Sequence, residues 1–155
     1  MRKTRVFRCE LFTPEGRVCN LECVFVRFPA ADGDMGILGN HSPLVARVGA
    51  GIVAVEVADG TAQEHFISGG FAQFRENVLT VLCEECMPPE ELSPENAWDQ
   101  LTRARDLPQE TPVEKLIRYE AVQTARTRFR LAQKCHVADP EQQPEPADEP
   151  EPSRT

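Results

Sequence analysis

The residues able to do chemistry in this 155-residue chain are few and poorly grouped. His41, His65 and His136 are its only histidines. A sandwich-borne metal enzyme needs several histidines and carboxylates converging on one point, and these three are remote from one another in the chain. Among six cysteines, Cys83-Glu84-Glu85-Cys86 has the spacing of half a zinc site. The other close pair, Cys19 and Cys23, is spaced by four, and with Cys9 it sits in strand-like runs where cysteine acts as a small hydrophobe. The cysteines are read as structural, with oxidation of Cys83 and Cys86 a minor alternative. Ser68-Gly69-Gly70 lacks the setting of a nucleophile elbow, and there is no P-loop and no dinucleotide fingerprint. No catalytic residue, cofactor site or metal site is expected, and the chain is not read as an enzyme.

What remains is recognition chemistry, in two places. Pro29 to Val48 sets Asp32 and Asp34 beside Met35, Ile37 and Leu38, with Gly33, Gly36 and Gly39 between them. A plain surface loop is polar throughout; acids beside exposed apolar groups suit a contact surface. The second place is Arg126, Arg128, Arg130 and Lys134, with no acid from Ala121 to Ala138. Cations at a helix C-terminus oppose its macrodipole, which accounts for the last turn but not for Arg126. The other reading is a basic face for an acidic protein partner.

The elements that must position these groups change character near Met87. From Val6 to about Cys83 apolar residues recur with period two, broken by turn signals: Pro14-Glu15-Gly16, Asp59-Gly60, Gly69-Gly70 and Glu76-Asn77. Asp59-Gly60 predicts a type I′ hairpin turn, Gly33–Gly39 a loop, and Leu44–Val48 a strand. Seven or more short strands with no helix between them predict an antiparallel sheet. After Met87-Pro88-Pro89 the pattern is helical. Ser93 caps a first helix with Ala97, Trp98, Leu101 and Ala104 on one stripe, and Pro108 ends it. Thr111 and Glu114 form a capping box for a second helix to about Lys134, with a stripe of Val113, Ile117, Ala121, Ala125 and Phe129. The fold class is an all-β sandwich or flattened barrel over residues 1–87, followed by an antiparallel α-helical hairpin over 88–135. Residues 136–155 hold five prolines and six acids and predict a disordered acidic tail.

The formal net charge of −8 divides into −5 for residues 136–155 and −3 for the rest. A folded part that is mildly acidic argues against nucleic-acid binding. No apolar run approaches the roughly 20 residues that span a bilayer, so membrane association is expected only through a complex. The N-terminal stretch has no apolar h-region, which predicts no signal peptide and a reducing cytoplasm.

Thr13-Pro14-Glu15-Gly16, Gly33-Asp34-Met35-Gly36-Ile37-Leu38 with His41-Ser42-Pro43-Leu44, Ser68-Gly69-Gly70-Phe71 and Val78–Leu82 together resemble the epsilon subunit of F-type ATP synthases. The family pattern in the second of these is close to GELGILPGHAPL, and the likeness covers residues 5 to about 134. It implies a non-catalytic subunit of the central rotor at the cytoplasmic face of an energy-transducing membrane. The sandwich would clasp the gamma subunit and stand on the c-subunit ring, coupling its rotation to ATP synthesis. By analogy Asp34, Met35, Leu38 and His41 become ring contacts. The hairpin would fold on the sandwich or extend and inhibit ATP hydrolysis, with Arg126, Arg128, Arg130 and Lys134 meeting an acidic element of the catalytic beta subunit. Three positions depart from the pattern. Gly39-Asn40 replaces Pro-Gly, which should loosen the loop, and Leu21 replaces a glycine. The ATP-binding motif [IL]-D-x-x-R-A of some members reads Leu92-Ser93-Pro94-Glu95-Asn96-Ala97 here, without its acid and arginine. The competing classes are a free-standing sandwich interaction module and a cysteine-based redox or metal sensor.

Overall fold

The computed structural model describes residues 5–136; the acidic tail predicted from residue 136 onward lies outside the described residues apart from His136, which ends a helix. Seven strands come first: β1 Phe7–Thr13, β2 Gly16–Ala30, β3 Gly33–Leu38, β4 Leu44–Val48, β5 Gly51–Val57, β6 Ala62–Arg75 and β7 Val78–Met87. A 3-10 turn at Pro89–Glu91 leads to α1 Pro94–Arg105 and α2 Pro112–His136.

The seven strands fall within the expected number, but several are longer than the turn signals suggested. β2 runs through fifteen residues because it serves both layers of the sandwich. Its first half pairs with β1, and its second half pairs with β3 on one edge and β5 on the other. The inward side chains slip from odd to even positions between Cys23 and Val26, where the β5 register shifts, so a bulge turns the strand from one layer to the other. β6 does the same at Gly69-Gly70, which bend the strand instead of ending it. Gly70 has φ 134°, and a Cβ there would run into the Leu82 carbonyl of β7. Only glycine lets β6 and β7 stay paired through that bend.

The sheet is also not wholly antiparallel. β1 lies parallel to β7, from Arg8 beside Val78 to Phe12 beside Leu82, and this pairing helps close the barrel. The two hairpin turns exchange expectations. At Asp59-Gly60 only Gly60 has positive φ, with Gly60 N–H donating to Val57 O at 3.0 Å, so this is not a type I′ turn. Both Glu76 (φ 52°) and Asn77 (φ 58°) are left-handed, as a type I′ turn requires.

Inside the barrel, alternate residues of all the strands but β3's outer positions make one core, including Leu11, Val26, Phe28, Ile37, Phe74 and Val81. Two smaller clusters hold the helices. Leu101 and Ala104 meet Val122 and Ala125 between α1 and α2, while Phe66, Leu92, Ala97 and Ala132 join the hairpin to the sandwich. The hairpin is therefore folded down on the sheet. α1 keeps three of its four predicted stripe residues inside; Trp98 is largely exposed and stacks at 5.3 Å on Phe129. α2 buries only the later part of the predicted stripe: Ala125 is buried and Ala121 and Phe129 pack half-buried, but Val113 and Ile117 are exposed, and the buried row is Val122, Ala125, Arg128 and Ala132. A row spaced only by four advances about 40° per step, so Val113 and Phe129 stand on nearly opposite sides of the helix. Both predicted caps form: Ser93 Oγ accepts from Asn96 N–H at 3.3 Å, and Thr111 and Glu114 exchange bonds of 3.1 and 2.9 Å. No helix among the described residues is long and apolar enough to cross a membrane.

Candidate functional site

The stretch predicted as a loop after Pro29 is for the most part a strand. β3 pairs Gly33 with Ala30, Met35 with Phe28 and Leu38 with Phe25, and its other edge is unpaired among the described residues. Alternation then sorts the candidates. Ile37 enters the core and Met35 packs half-buried against it. Asp34 and Leu38 point the other way with Gly36 between them, and Leu38 is 59% exposed. Phe25 fills the gap at Gly36; a Cβ on that glycine would lie 2.9 Å from the ring. The outward face thus carries Asp34, Phe25, Leu38 and the exposed Arg27, whose partner across the ladder is Gly36. Phe25 and Arg27 are not among the contact residues singled out from sequence; the bare Gly36, opposite Arg27 and covered by the Phe25 ring, was the signal.

The turn after β3 is pinned, not loosened. Asn40 has φ 61°, the conformation that suits the glycine of the family pattern. Its N–H donates to Asn77 Oδ1 at 2.8 Å, and Asn77 Nδ2 donates back to Asn40 Oδ1 at 2.8 Å. The Arg5 carbonyl occupies the space a Cβ on Gly39 would need. His41 follows, its ring edge-on to Phe74 at 5.9 Å. Its Nδ1–H donates to the Ser42 carbonyl at 2.8 Å, since a carbonyl can only accept. Asp34 and Leu38 share a strand face, whereas Met35 faces inward and His41 lies beyond the turn.

The four cations of the expected basic face on α2 divide three to one. Arg126, Arg130 and Lys134 are exposed at a spacing of four. Arg128 is 8% exposed and belongs to the buried row between Ala125 and Ala132. It forms an ion pair with Glu85 of β7, donates from Nη1 to Gln100 Oε1 of α1 at 2.8 Å, and lies 5.0 Å over the Phe66 ring. One guanidinium thus ties α1, α2 and the sandwich together. Burial draws its pKa down, but arginine stays charged in any accessible range. Arg47 of β4 adds a second strut to Glu120 at 2.9 Å. Between the two struts a cleft of about 1050 Å³ opens, lined by Arg47, Phe71, Ile117 and Tyr119 among others.

The thiols differ: the hydrogen bond between Cys83 and Cys86 lowers the pKa of the first and raises that of the second. Burial raises Cys9 and pushes Cys23 up to about 12, which keeps them protonated, and Cys83 Sγ donates to the Phe12 carbonyl at 3.3 Å. No group of three His, Cys, Asp or Glu among the described residues could hold a metal ion. Ser93 and Asn96, at the positions of the ATP-binding motif, form the helix cap instead.

A further surface stands on the outer layer. Phe71 and Leu82 are neighbours across the β6–β7 ladder, and Phe12 adjoins Leu82 on β1. Val45 is 72% exposed, Phe71 58% and Leu82 53%. Such an apolar band, edged by Arg47 and Arg17, has the composition of a protein interface.

Residues 6–89 match the family described as "ATP synthase, Delta/Epsilon chain, beta-sandwich domain". The chain is 33% identical to the ATP synthase epsilon chain of Rhodopirellula baltica over 81% of its length and 97% of that relative's. It is 36% identical to the epsilon chain of Jannaschia sp. over 56% of its length and 64% of that chain's. Its fold is shared with a chain in the Euglena gracilis mitochondrial ATP synthase structure described as OSCP/F1/c-ring, with TM-score 0.66, 22% identity, and 81% and 79% of the two chains covered. A chain of the Tetrahymena thermophila mitochondrial ATP synthase central stalk and c-ring gives 0.61 at 15% identity, covering 85% and 97%. The chain belongs to the ATP synthase delta/epsilon family, as a non-catalytic subunit.

Proposed function

We propose that this member of the ATP synthase delta/epsilon family is a central-rotor subunit of a proton-translocating F-type ATP synthase, peripheral at the cytoplasmic face of the membrane. The observation that carries this reading is the exposed apolar band of Phe71, Leu82, Phe12 and Val45, which no element among the described residues covers and which suits a protein partner. Its partner in the proposal is the gamma subunit. The separate face of Asp34, Phe25 and Leu38 stands on the c-subunit ring, where the carboxylate pairs with basic loop groups and the apolar side chains pack beside it. The Asn40–Asn77 clamp supports that assignment, because a rigid foot loses less entropy on docking than a loose one. His41 and Met35 contribute from the turn and from beneath the strand.

The hairpin acts as the regulatory part. Folded down, it holds Arg128 inside; released, it presents Arg126, Arg128, Arg130 and Lys134 to an acidic element of the catalytic beta subunit and inhibits ATP hydrolysis. The test is co-expression with gamma and c subunits followed by co-purification. Phe71→Asp with Leu82→Asp should abolish recovery with gamma, and Leu38→Asp should weaken retention on the ring. Undiminished recovery of the double variant would overturn the rotor assignment. Neutralising Arg126, Arg130 and Lys134 together should raise hydrolysis by the assembled complex; an unchanged rate removes the inhibitory role.

A further inference from the structure

We infer that the chain's own acidic segment, residues 139–151, docks on the stripe of Arg126, Arg130 and Lys134 and competes there with acidic partners. The identity of the competitor, though not the docking itself, rests on the function proposed above. The three cations sit at successive steps of four on α2, within about 80° of its circumference and about 12 Å of its length. None of them takes part in an ion pair among the described residues. The acids of α2, Glu114 and Glu120, lie toward its other end, and Glu120 is engaged by Arg47. Arg128 faces the sandwich and leaves the exposed stripe wholly to the other three.

The chain itself supplies the counter-charge. It continues directly from the end of α2 at His136, and residues 139–151 carry Asp139, Glu141, Glu145, Asp148, Glu149 and Glu151 with no cation among them. At about 3.3 Å per residue this segment can reach about 40 Å, several times the length of the stripe, so it can double back over Lys134 as far as Arg126. Each exposed pair is weak alone. Tethering places the acids at an effective concentration in the millimolar range, which a partner in trans must overcome. The contact fades as salt rises.

The test uses the full chain and a fluorescein-labelled decaglutamate peptide at low salt. Replacing the six acids by Asn and Gln should tighten peptide binding about fivefold or more and shift the α2 amide resonances from 124 to 136. Arg126→Gln, Arg130→Gln and Lys134→Gln together should abolish peptide binding with either tail. Equal affinity for both tails, or a gain that persists in the stripe variant, overturns the docking. Hydrolysis by the assembled complex reads the other question: if the stripe variant leaves the rate unchanged while the tail-dependent shifts remain, the inhibitory reading falls and the docking stands.

Discussion

The sandwich and the hairpin are held by different means. Within the sandwich, continuous ladders join every strand, and one core of valine, phenylalanine, leucine and cysteine fills the barrel. The hairpin rests on alanine-rich contacts, a few large apolar residues and two ion pairs to the sheet. Alanine buries little area, so the apolar part of that docking is modest. Its polar part is specific, because Arg128 can satisfy Glu85 and Gln100 together in only one arrangement. A core held by area resists local opening, while an element held by a few polar contacts can leave as a unit.

The most damaging change should be Gly70→Ala, since the Leu82 carbonyl occupies the new methyl's place and φ is positive. A loss of about 3 kcal/mol or more is expected in urea unfolding of the whole domain. A stable variant would show that the bend is not fixed by close approach of the two strands. Next comes Arg128→Ala, expected to cost about 1–3 kcal/mol, discounted because Glu85 is half in solvent. Hydrogen exchange should speed along α1 and α2 and stay slow in β6 and β7; uniform acceleration would erase the distinction between the regions. Thr111→Ala removes the cap of α2 and should cost about 1 kcal/mol, seen as fraying of its first turn by NMR.

The smallest effect concerns pH. Burial lowers the pKa of His65, with Glu90 opposing. A depressed folded-state value means the unfolded chain binds the proton more readily, so the stabilising contribution is present above the ordinary value of 6.5 and is lost as pH falls through the lower folded one. The thermal midpoint should drop more steeply below pH 6.5 than in His65→Gln; parallel profiles would deny His65 the role.

The two regions also differed in how far they could be read from sequence. Period-two alternation located the strands and the Pro88-Pro89 boundary, and the caps at Ser93 and Thr111 placed both helix starts. Pairing partners were not legible, because nothing local in β1 says that it lies parallel to β7. Gly69-Gly70 signalled a break, yet the same conformational freedom serves a bend within one strand. The left-handed Glu76 carries no residue-type signal, since the register of β6 and β7 imposes it. In α2 an i+4 row was followed past the point where it leaves the contact face, and Arg128 was grouped by charge although its position between Ala125 and Ala132 marked it as inward. At the foot, Gly39-Asn40 looked like slack because the partner that tightens it, Asn77, is distant in the chain.

The parallel seam between β1 and β7 has a bearing on how the chain acquires its shape. Arg8 pairs with Val78, so the barrel cannot shut until almost the whole sandwich has left the ribosome. Until then β1 and β2 form an open hairpin that shows Cys9, Cys19 and Cys23 to the surroundings. Closure over such a long loop is slow, and an open strand edge is a site for wrong pairing. Nascent chains stalled before β7 should have thiols that react readily with maleimide, and release of β7 should bury them in one step.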